Sequence, residues 1–129
     1  MSPGPGGKAD GGGESGLEYY EVEQEELEWV PADFQRAYMK VLYMDQRGGG
    51  QVLLVRYEPF CEMPAHAHRS ADEAAYVLEG SIKLASRDED APFRRAGYFA
   101  FFPAGVEHGP FSTGEEPCTI ISFFNGPLK

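Results

Sequence analysis

The chain has 129 residues, which suits a single domain, and its composition excludes several classes of protein. Hydrophobic residues make up 42% of the sequence, enough to build a core, so the chain as a whole is not expected to be disordered. Its net charge of −10 argues against binding to nucleic acid or to an anionic membrane, since both partners select basic surfaces.

The lack of targeting signals and the small number of cysteines indicate the expected compartment of the protein. No apolar run approaches the roughly 20 residues of a transmembrane helix, and the N-terminus lacks the apolar segment of a signal peptide. We therefore expect a cytoplasmic protein. Cys61 and Cys118 are too few for a disulfide framework and are interpreted as two ordinary thiols.

Two segments of biased composition open the chain. Residues 1–17, rich in glycine and proline, are interpreted as a flexible tail, because they bury too little apolar surface to offset their chain entropy. We place a single domain at residues 18–129 and treat residues 18–30 as its acidic lead-in. The simplest interpretation of the lead-in is a solvated segment whose Trp29 packs into the domain; a partner-binding arm is the alternative.

The remainder of the chain is typical of short strands separated by glycine and proline turns. Strand-forming residues dominate segments 37–45, 51–60, 97–103 and 118–124. Residues 73–80 and 81–86 are predicted to form a hairpin around Gly80, and no helical period of useful length is present. The pattern predicts an all-β sandwich or small barrel, whose mouth is a natural place for a ligand.

Three histidines and one glutamate form the chemical signature of the sequence. His66 and His68 lie two residues apart, so on a strand their imidazoles project from the same face. Glu73 opens the next predicted strand, and a turn containing proline and glycine precedes His108 and directs it toward the barrel interior. Imidazoles and a carboxylate that converge in this way suit Fe, Mn, Ni, Zn or Cu.

The spacing of these residues resembles the two sequence motifs of the cupin superfamily. The first reads His66-x-His68, four residues, Glu73, six residues and Gly80; the second reads Gly97, five residues, Pro103-x-Gly105, two residues and His108. The resemblance implies a double-stranded β-helix, or jelly-roll barrel, that usually forms a homodimer. It also implies one divalent transition metal per chain, held by His66, His68, Glu73 and His108.

The resemblance also carries expectations about function. We expect a non-haem dioxygenase that contains Fe(II) and acts on a small diketone, phenol or enol; Zn, Ni, Mn or Cu also fit the donor set. The alternatives are a metal-dependent isomerase, cyclase or lyase, and a non-catalytic cupin that senses a small molecule. The finer likeness is to acetylacetone-cleaving dioxygenases and to the cupin domains of anti-sigma factors.

Two further residues are candidates for a catalytic role. Tyr76 belongs to an aromatic set, of which strand alternation allows only some members to face the barrel interior; the set comprises Tyr76, Phe99, Phe101, Phe102 and Phe111. Arg56 interrupts an apolar strand and could contact an anionic substrate, although an exposed position is favoured for a charged residue.

Overall fold

The computed structural model describes residues 19–85 and 88–128 of the chain. The predicted tail over residues 1–17 lies outside the described residues. Within them the chain forms one 3-10 helix, Gln24–Glu26, and nine strands: β1 (Val30–Pro31), β2 (Ala37–Met44), β3 (Gln51–Tyr57), β4 (Glu62–Met63), β5 (Glu73–Lys83), β6 (Phe93–Arg95), β7 (Phe99–Phe102), β8 (Phe111–Ser112) and β9 (Cys118–Phe124). The all-β prediction is confirmed. In the described part of the chain, no helix has the length and apolar character needed to cross a membrane.

The strands form one curled antiparallel sheet in the order β1-β2-β3-β9-β5-β8-β4, with β6 and β7 also paired to β5. β5 is the strand that closes the barrel. Its first half pairs with β7 and β9, and its second half pairs with β6 and β8. Because one long strand belongs to both halves of the sheet, the sheet folds over itself as a jelly roll.

The predicted hairpin around Gly80 is wrong, because β5 runs without interruption from Glu73 to Lys83. A bulge between Val77 and Glu79 and a positive φ of 79° at Gly80 bend the strand where it passes from one half of the sheet to the other. A Cβ at Gly80 would lie 1.8 Å from the carbonyl oxygen of Pro117. The glycine therefore permits a close backbone approach, not a turn.

The core lies between the two halves of the sheet. One cluster joins residues of both halves, namely Met63, Val77, Ile82, Phe111, Cys118 and Ile120; the other lies nearer β3 and contains Leu53, Val55, Ala71 and Phe124. Both cysteines are free and buried, as expected for ordinary thiols.

The described part of the acidic lead-in packs against β2. Its anchor is Leu27, which is 8% exposed, whereas Trp29 is 38% exposed and lies under the ammonium group of Lys40. The Lys40 ammonium also donates to the backbone and side-chain oxygens of Gln24, at 2.9 and 2.8 Å. The prediction that Trp29 plugs into the domain is therefore wrong, because its ring instead covers a buried cation.

Candidate metal centre

Backbone pairing places two of the histidines opposite each other. His66 and His108 form an isolated antiparallel bridge, in which each N–H donates to the other residue's carbonyl at 2.9 and 2.8 Å. The carbonyl of His68 accepts a hydrogen bond from Gly105, whose φ of 85° suits the turn before His108. Both histidine segments are thus held by main-chain hydrogen bonds.

Asp72 positions the start of β5, and hence Glu73. Its carboxylate accepts a hydrogen bond from the Ala104 N–H at 2.8 Å and another from the Asn125 side-chain amide at 2.9 Å. The Ala104 N–H, followed by the Asn125 amide, holds the pKa of Asp72 below its ordinary value. This ionised side chain joins the turn before His108, the end of β9 and the first residue of β5.

The four side chains predicted from the sequence come together inside the barrel. One ligand atom of each histidine lies within 4.8 Å of those of the other two. The Oε1 atom of Glu73 lies 3.5 Å from the Nε2 atoms of both His68 and His108. The Oε2 atom of Glu73 accepts a hydrogen bond from the Ser122 hydroxyl at 2.9 Å, which fixes the orientation of the carboxylate.

The hydrogen bonds of the rings leave the Nε2 atoms available for a metal. The Nδ1–H groups of His66 and His108 donate to the carbonyls of Pro64 and Val106, at 3.0 and 3.1 Å. In a neutral imidazole with a proton on Nδ1, the Nε2 atom carries the lone pair. Carbonyl acceptors of this kind commonly orient metal-binding histidines.

The buried Nε2 atom of His108 provides a direct test of whether a metal fits. Its residue is 8% exposed, and among the described residues Nε2 has no hydrogen-bond partner of good geometry. A buried polar atom of this kind normally finds a partner. A divalent cation between three imidazoles and the Glu73 carboxylate would supply one, so the residues present fit a metal of the Fe, Mn, Ni, Zn or Cu class.

Burial and the carboxylate act in opposite directions on the imidazoles. Burial lowers the pKa of His68 below its ordinary value, against the attraction of Glu73 and together with the repulsion of the neighbouring rings. Burial also lowers the pKa of His108, but the nearby Glu73 carboxylate and the hydrogen bond to the Val106 carbonyl outweigh burial, so that this pKa is raised. Protons and a metal ion would therefore compete for His108.

Aromatic side chains hold the imidazole planes. The ring of Phe102 stacks on His108 with centroids 4.1 Å apart and an interplanar angle of 14°. Phe111 contacts His66 and His108 from the side, and Phe124 meets the edge of His68 at 5.0 Å. Packing of this kind limits rotation of the rings and so prepares the site for a ligand.

A cavity of about 340 Å³ opens beside the histidines, and we call it the outer cavity. Apolar residues of β2, β3, β4, β8 and β9 line most of it, with His66, His68, Glu73, Tyr57 and Ser122 among the polar groups. Its size and its mainly apolar wall, with a few convergent polar groups, are typical of a site for a small organic molecule.

Comparison with models of known protein families identifies the family to which the chain belongs. Residues 53–124 match the family model described as "Cupin domain", which is more than half of the sequence. The chain belongs to the cupin family. The family expected from the motif spacing is thereby confirmed, and the three-histidine group lies within this domain.

This cupin is similar to plant germin-like proteins over part of their length. It is 30% identical over 79 residues to germin-like protein subfamily 2 member 1 from Arabidopsis thaliana, an alignment that covers 57% of this chain and 36% of the relative. The chain therefore spans less than two fifths of the length of the curated relatives it matches.

Solved structures confirm the jelly-roll fold. The polyketide cyclase RemF from Streptomyces resistomycificus matches with a TM-score of 0.67 and 22% identity, over 80% of this chain and 76% of that one. A candidate acetylacetone dioxygenase from Methylibium petroleiphilum PM1 matches with a TM-score of 0.70 and 16% identity, over 87% of this chain and 80% of that one. At these identities the likeness concerns the fold alone.

The structure does not bring the two other catalytic candidates of this cupin to the metal centre. Arg56 forms an ion pair with Glu58 at 3.0 Å, and Tyr76 is 41% exposed; neither side chain lines the outer cavity. Strand alternation explains why the side chain of Tyr76 faces outward, because Glu73 and Ala75 on the same strand face inward. Among the other aromatic residues of the predicted set, Phe102 and Phe111 face inward, whereas Phe99 and Phe101 are exposed.

Tyr57 and Ser122 are site residues of this cupin that sequence reasoning missed. Both line the outer cavity, and burial together with the Glu73 carboxylate raises the pKa of the Tyr57 phenol far above its ordinary value. Tyr57 therefore stays protonated and can donate a hydrogen bond. The position of Tyr57 could have been predicted from the sequence, since it follows Leu53 and Val55 at the two-residue spacing that places side chains on one face of a strand.

Proposed function

We propose that this cupin is a metal-dependent dioxygenase that acts on a small diketone, phenol or enol and holds one Fe(II) ion per chain. The observation that carries the proposal is the group of three imidazoles, with Glu73 Oε1 at 3.5 Å from two of them, beside a mainly apolar cavity. Three nitrogens and one oxygen leave positions open on a metal that prefers six ligands.

His66, His68, His108 and Glu73 would hold the ion. Bound there, Fe(II) would supply the redox chemistry that makes O₂ reactive toward an enolate and the positive charge that favours the enolate form of the substrate. Cleavage of one C–C bond, with both atoms of O₂ kept in the products, balances without a further reductant.

Other residues of the chain would bind the substrate and orient the Glu73 carboxylate. Leu53, Val55 and Phe124 form an apolar wall of the outer cavity that would contact the hydrocarbon part of the substrate and exclude water. The protonated Tyr57 phenol is a donor for a substrate oxygen in the same cavity. Ser122 keeps the carboxylate of Glu73 aimed at the histidines.

A non-oxidative reaction is the second candidate. The fold match to a polyketide cyclase is nearly as extensive as the match to the candidate dioxygenase, and the same donor set suits Zn(II) or Ni(II). Such an ion would act as a Lewis acid, and the reaction would need no O₂. A small-molecule sensor built on the same site would bind substrate-like molecules without turnover.

The first experiment is the metal content of natively purified, untagged protein, measured by mass spectrometry and followed by O₂ uptake. We expect about one iron per chain and O₂ consumption with 2,4-pentanedione or catechol, both lost in His108→Ala and retained in the exposed neighbour variant Glu107→Gln. Turnover of the same compounds without O₂ consumption would move the assignment to the isomerase, cyclase or lyase class. Binding without turnover would indicate a sensor.

A further inference from the structure

A second, smaller cavity lies in the barrel next to the candidate metal centre, and we call it the inner cavity. It has a volume of about 30 Å³, and its lining is mainly apolar, with Val77, Ile82, Ala100 and Ile120 among its residues. Four side chains line both cavities: Tyr57, Glu73, Phe111 and Ser122. The two cavities therefore adjoin each other at these four side chains.

The size of the inner cavity limits what can occupy it. One water molecule needs roughly 10–15 Å³ of space for its centre. The inner cavity, at about 30 Å³, therefore has room for about two molecules of that size. A diatomic molecule fits that space. The carbon skeleton of a diketone or a phenol does not, and the larger substrate is confined to the outer cavity.

The polarity of the inner cavity disfavours water. A buried water needs two to four polar partners. The polar side chains of the lining are those of Tyr57, Glu73, Tyr98 and Ser122, but most of the lining surface is apolar, and Glu73 and Ser122 are hydrogen-bonded to each other. Enclosed cavities with an apolar lining stay dry and take up small apolar molecules. O₂ is such a molecule, since it dissolves better in hydrocarbons than in water.

We propose that the inner cavity is a binding site for O₂, held beside the outer cavity. Its role as an oxygen store rests on the proposed dioxygenase function, whereas its occupancy depends only on the size and polarity of the cavity. O₂ would pass to the histidine side between the side chains of Tyr57, Glu73, Phe111 and Ser122, which border both spaces.

The strand β5 offers a matched pair of variants. Ala75 lines the inner cavity, whereas its neighbour Ala74 faces the opposite side of the sheet, where it lies beside Phe101 and Phe123. Ala75→Val adds two methyl-sized groups to the cavity, and Ala74→Val adds the same volume outside it. Valine suits a strand at either position.

The test uses dissolved O₂ itself, which is paramagnetic, as the probe. The whole chain is loaded with Zn(II), which is diamagnetic and does not react with O₂, and methyl NMR spectra are recorded under nitrogen and under raised O₂ pressure. We expect the methyl groups of Val77, Ile82 and Ile120 to relax several-fold faster under O₂ than the methyl groups of Leu54, which is also buried but lines neither cavity. The enhancement should persist in Ala74→Val and disappear in Ala75→Val.

Two results would overturn the proposal. One is equal enhancement at Leu54 and at the inner methyl groups of the wild-type protein, a comparison that does not depend on any variant folding. The other is an unchanged enhancement in a folded Ala75→Val protein, which would place O₂ elsewhere.

Kinetics separate this proposal from the proposed function. In the iron-loaded enzyme we expect Ala75→Val to raise the KM for O₂ several-fold and to leave the KM for the organic substrate unchanged. If the NMR experiment shows O₂ in the inner cavity but the iron-loaded protein consumes no O₂, the gas site is supported and the dioxygenase function is refuted. O₂ consumption without NMR enhancement would sustain the dioxygenase and refute the gas site.

Discussion

The candidate metal centre depends on which ring nitrogen of each histidine is hydrogen-bonded and which is left for a metal. In His66 and His108, the Nδ1–H group donates a hydrogen bond to a backbone carbonyl, and the Nε2 atom of His108 lies 3.5 Å from the Glu73 carboxylate. In His108 this atom is buried and has no well-directed partner among the described residues. An unsatisfied buried nitrogen costs free energy, and a bond to a metal ion at this position would recover it.

Removal of a histidine should therefore release the metal while the barrel stays folded. We expect His66→Ala or His108→Ala to weaken metal binding by more than about 100-fold, since loss of an outer hydrogen-bond partner alone costs 10–100-fold. Mass spectrometry of the purified variants measures the metal, and circular dichroism checks the fold. Glu107→Gln, an exposed change beside His108, is the control. Full metal occupancy in either alanine variant would show that the ligand assignment is incorrect.

The hydroxyl of Ser122 is predicted to act on the metal through Glu73. Because it donates to Glu73 Oε2 at 2.9 Å, Ser122→Ala should leave the carboxylate free to rotate and lower metal affinity about tenfold. Ser81→Ala is a matched control, since Ser81 is equally buried and donates to Glu116 at 2.9 Å away from the histidines. Competition titration with a chelator gives both affinities. The prediction fails if the two variants bind metal equally well.

At the scale of elements, β5 connects the chemistry to the fold. Its first residue is Glu73, and its bend at Gly80 allows the second half to join β6 and β8. The sequence alternation around Gly80 suits a hairpin equally well, and the two outcomes are distinguished by the pairing of β5 with β9 and by the contact of Gly80 with Pro117. Local pattern cannot report that contact, because Pro117 lies far along the chain.

Two glycines with positive φ allow the close approach at Gly80 to be measured. Gly97→Ala meets no atom within 4 Å, so it should cost only the strain of a positive φ, about 1–2 kcal/mol. Gly80→Ala has the same strain and a steric conflict with the Pro117 carbonyl, so we expect the free energy of unfolding to fall by more than about 3 kcal/mol. Urea denaturation measures both. Equal losses would mean that the backbone at Pro117 moves aside.

At the scale of the whole molecule, the outer surface of the sheet carries an aromatic face made of Tyr76, Phe99, Phe101 and Phe123. These residues lie on three adjacent strands, β5, β7 and β9, and Phe99 and Phe101 are 57% and 54% exposed. Contiguous apolar surface of this kind commonly marks a contact between proteins. It supports the expectation of a homodimer, which stays a prediction.

We expect the protein to sediment as a dimer that a charge on the aromatic face dissociates. Phe101→Lys would place an ammonium group in the centre of a desolvated contact, so the variant should be monomeric at micromolar concentration. Phe93→Lys, an exposed aromatic position on β6 outside this face, should remain dimeric. Analytical ultracentrifugation distinguishes the two. A monomeric wild-type protein, or loss of the dimer in Phe93→Lys alone, would place the contact elsewhere or exclude it.

The sequence by itself determined the all-β class and the longer strands, and it predicted that His66, His68, Glu73 and His108 lie together. Those inferences depend on alternation and on spacings of a few residues, which local backbone geometry converts directly into direction. The tertiary structure alone decided that Tyr57 and Ser122 join the site, that Arg56 and Tyr76 lie outside it, and that an inner cavity exists. These features arise where β3, β5 and β9 meet, with Ser122 and Glu73 separated by 49 residues of sequence and the paired residues of β3 and β9 by more, and such long-range packing has no local signature.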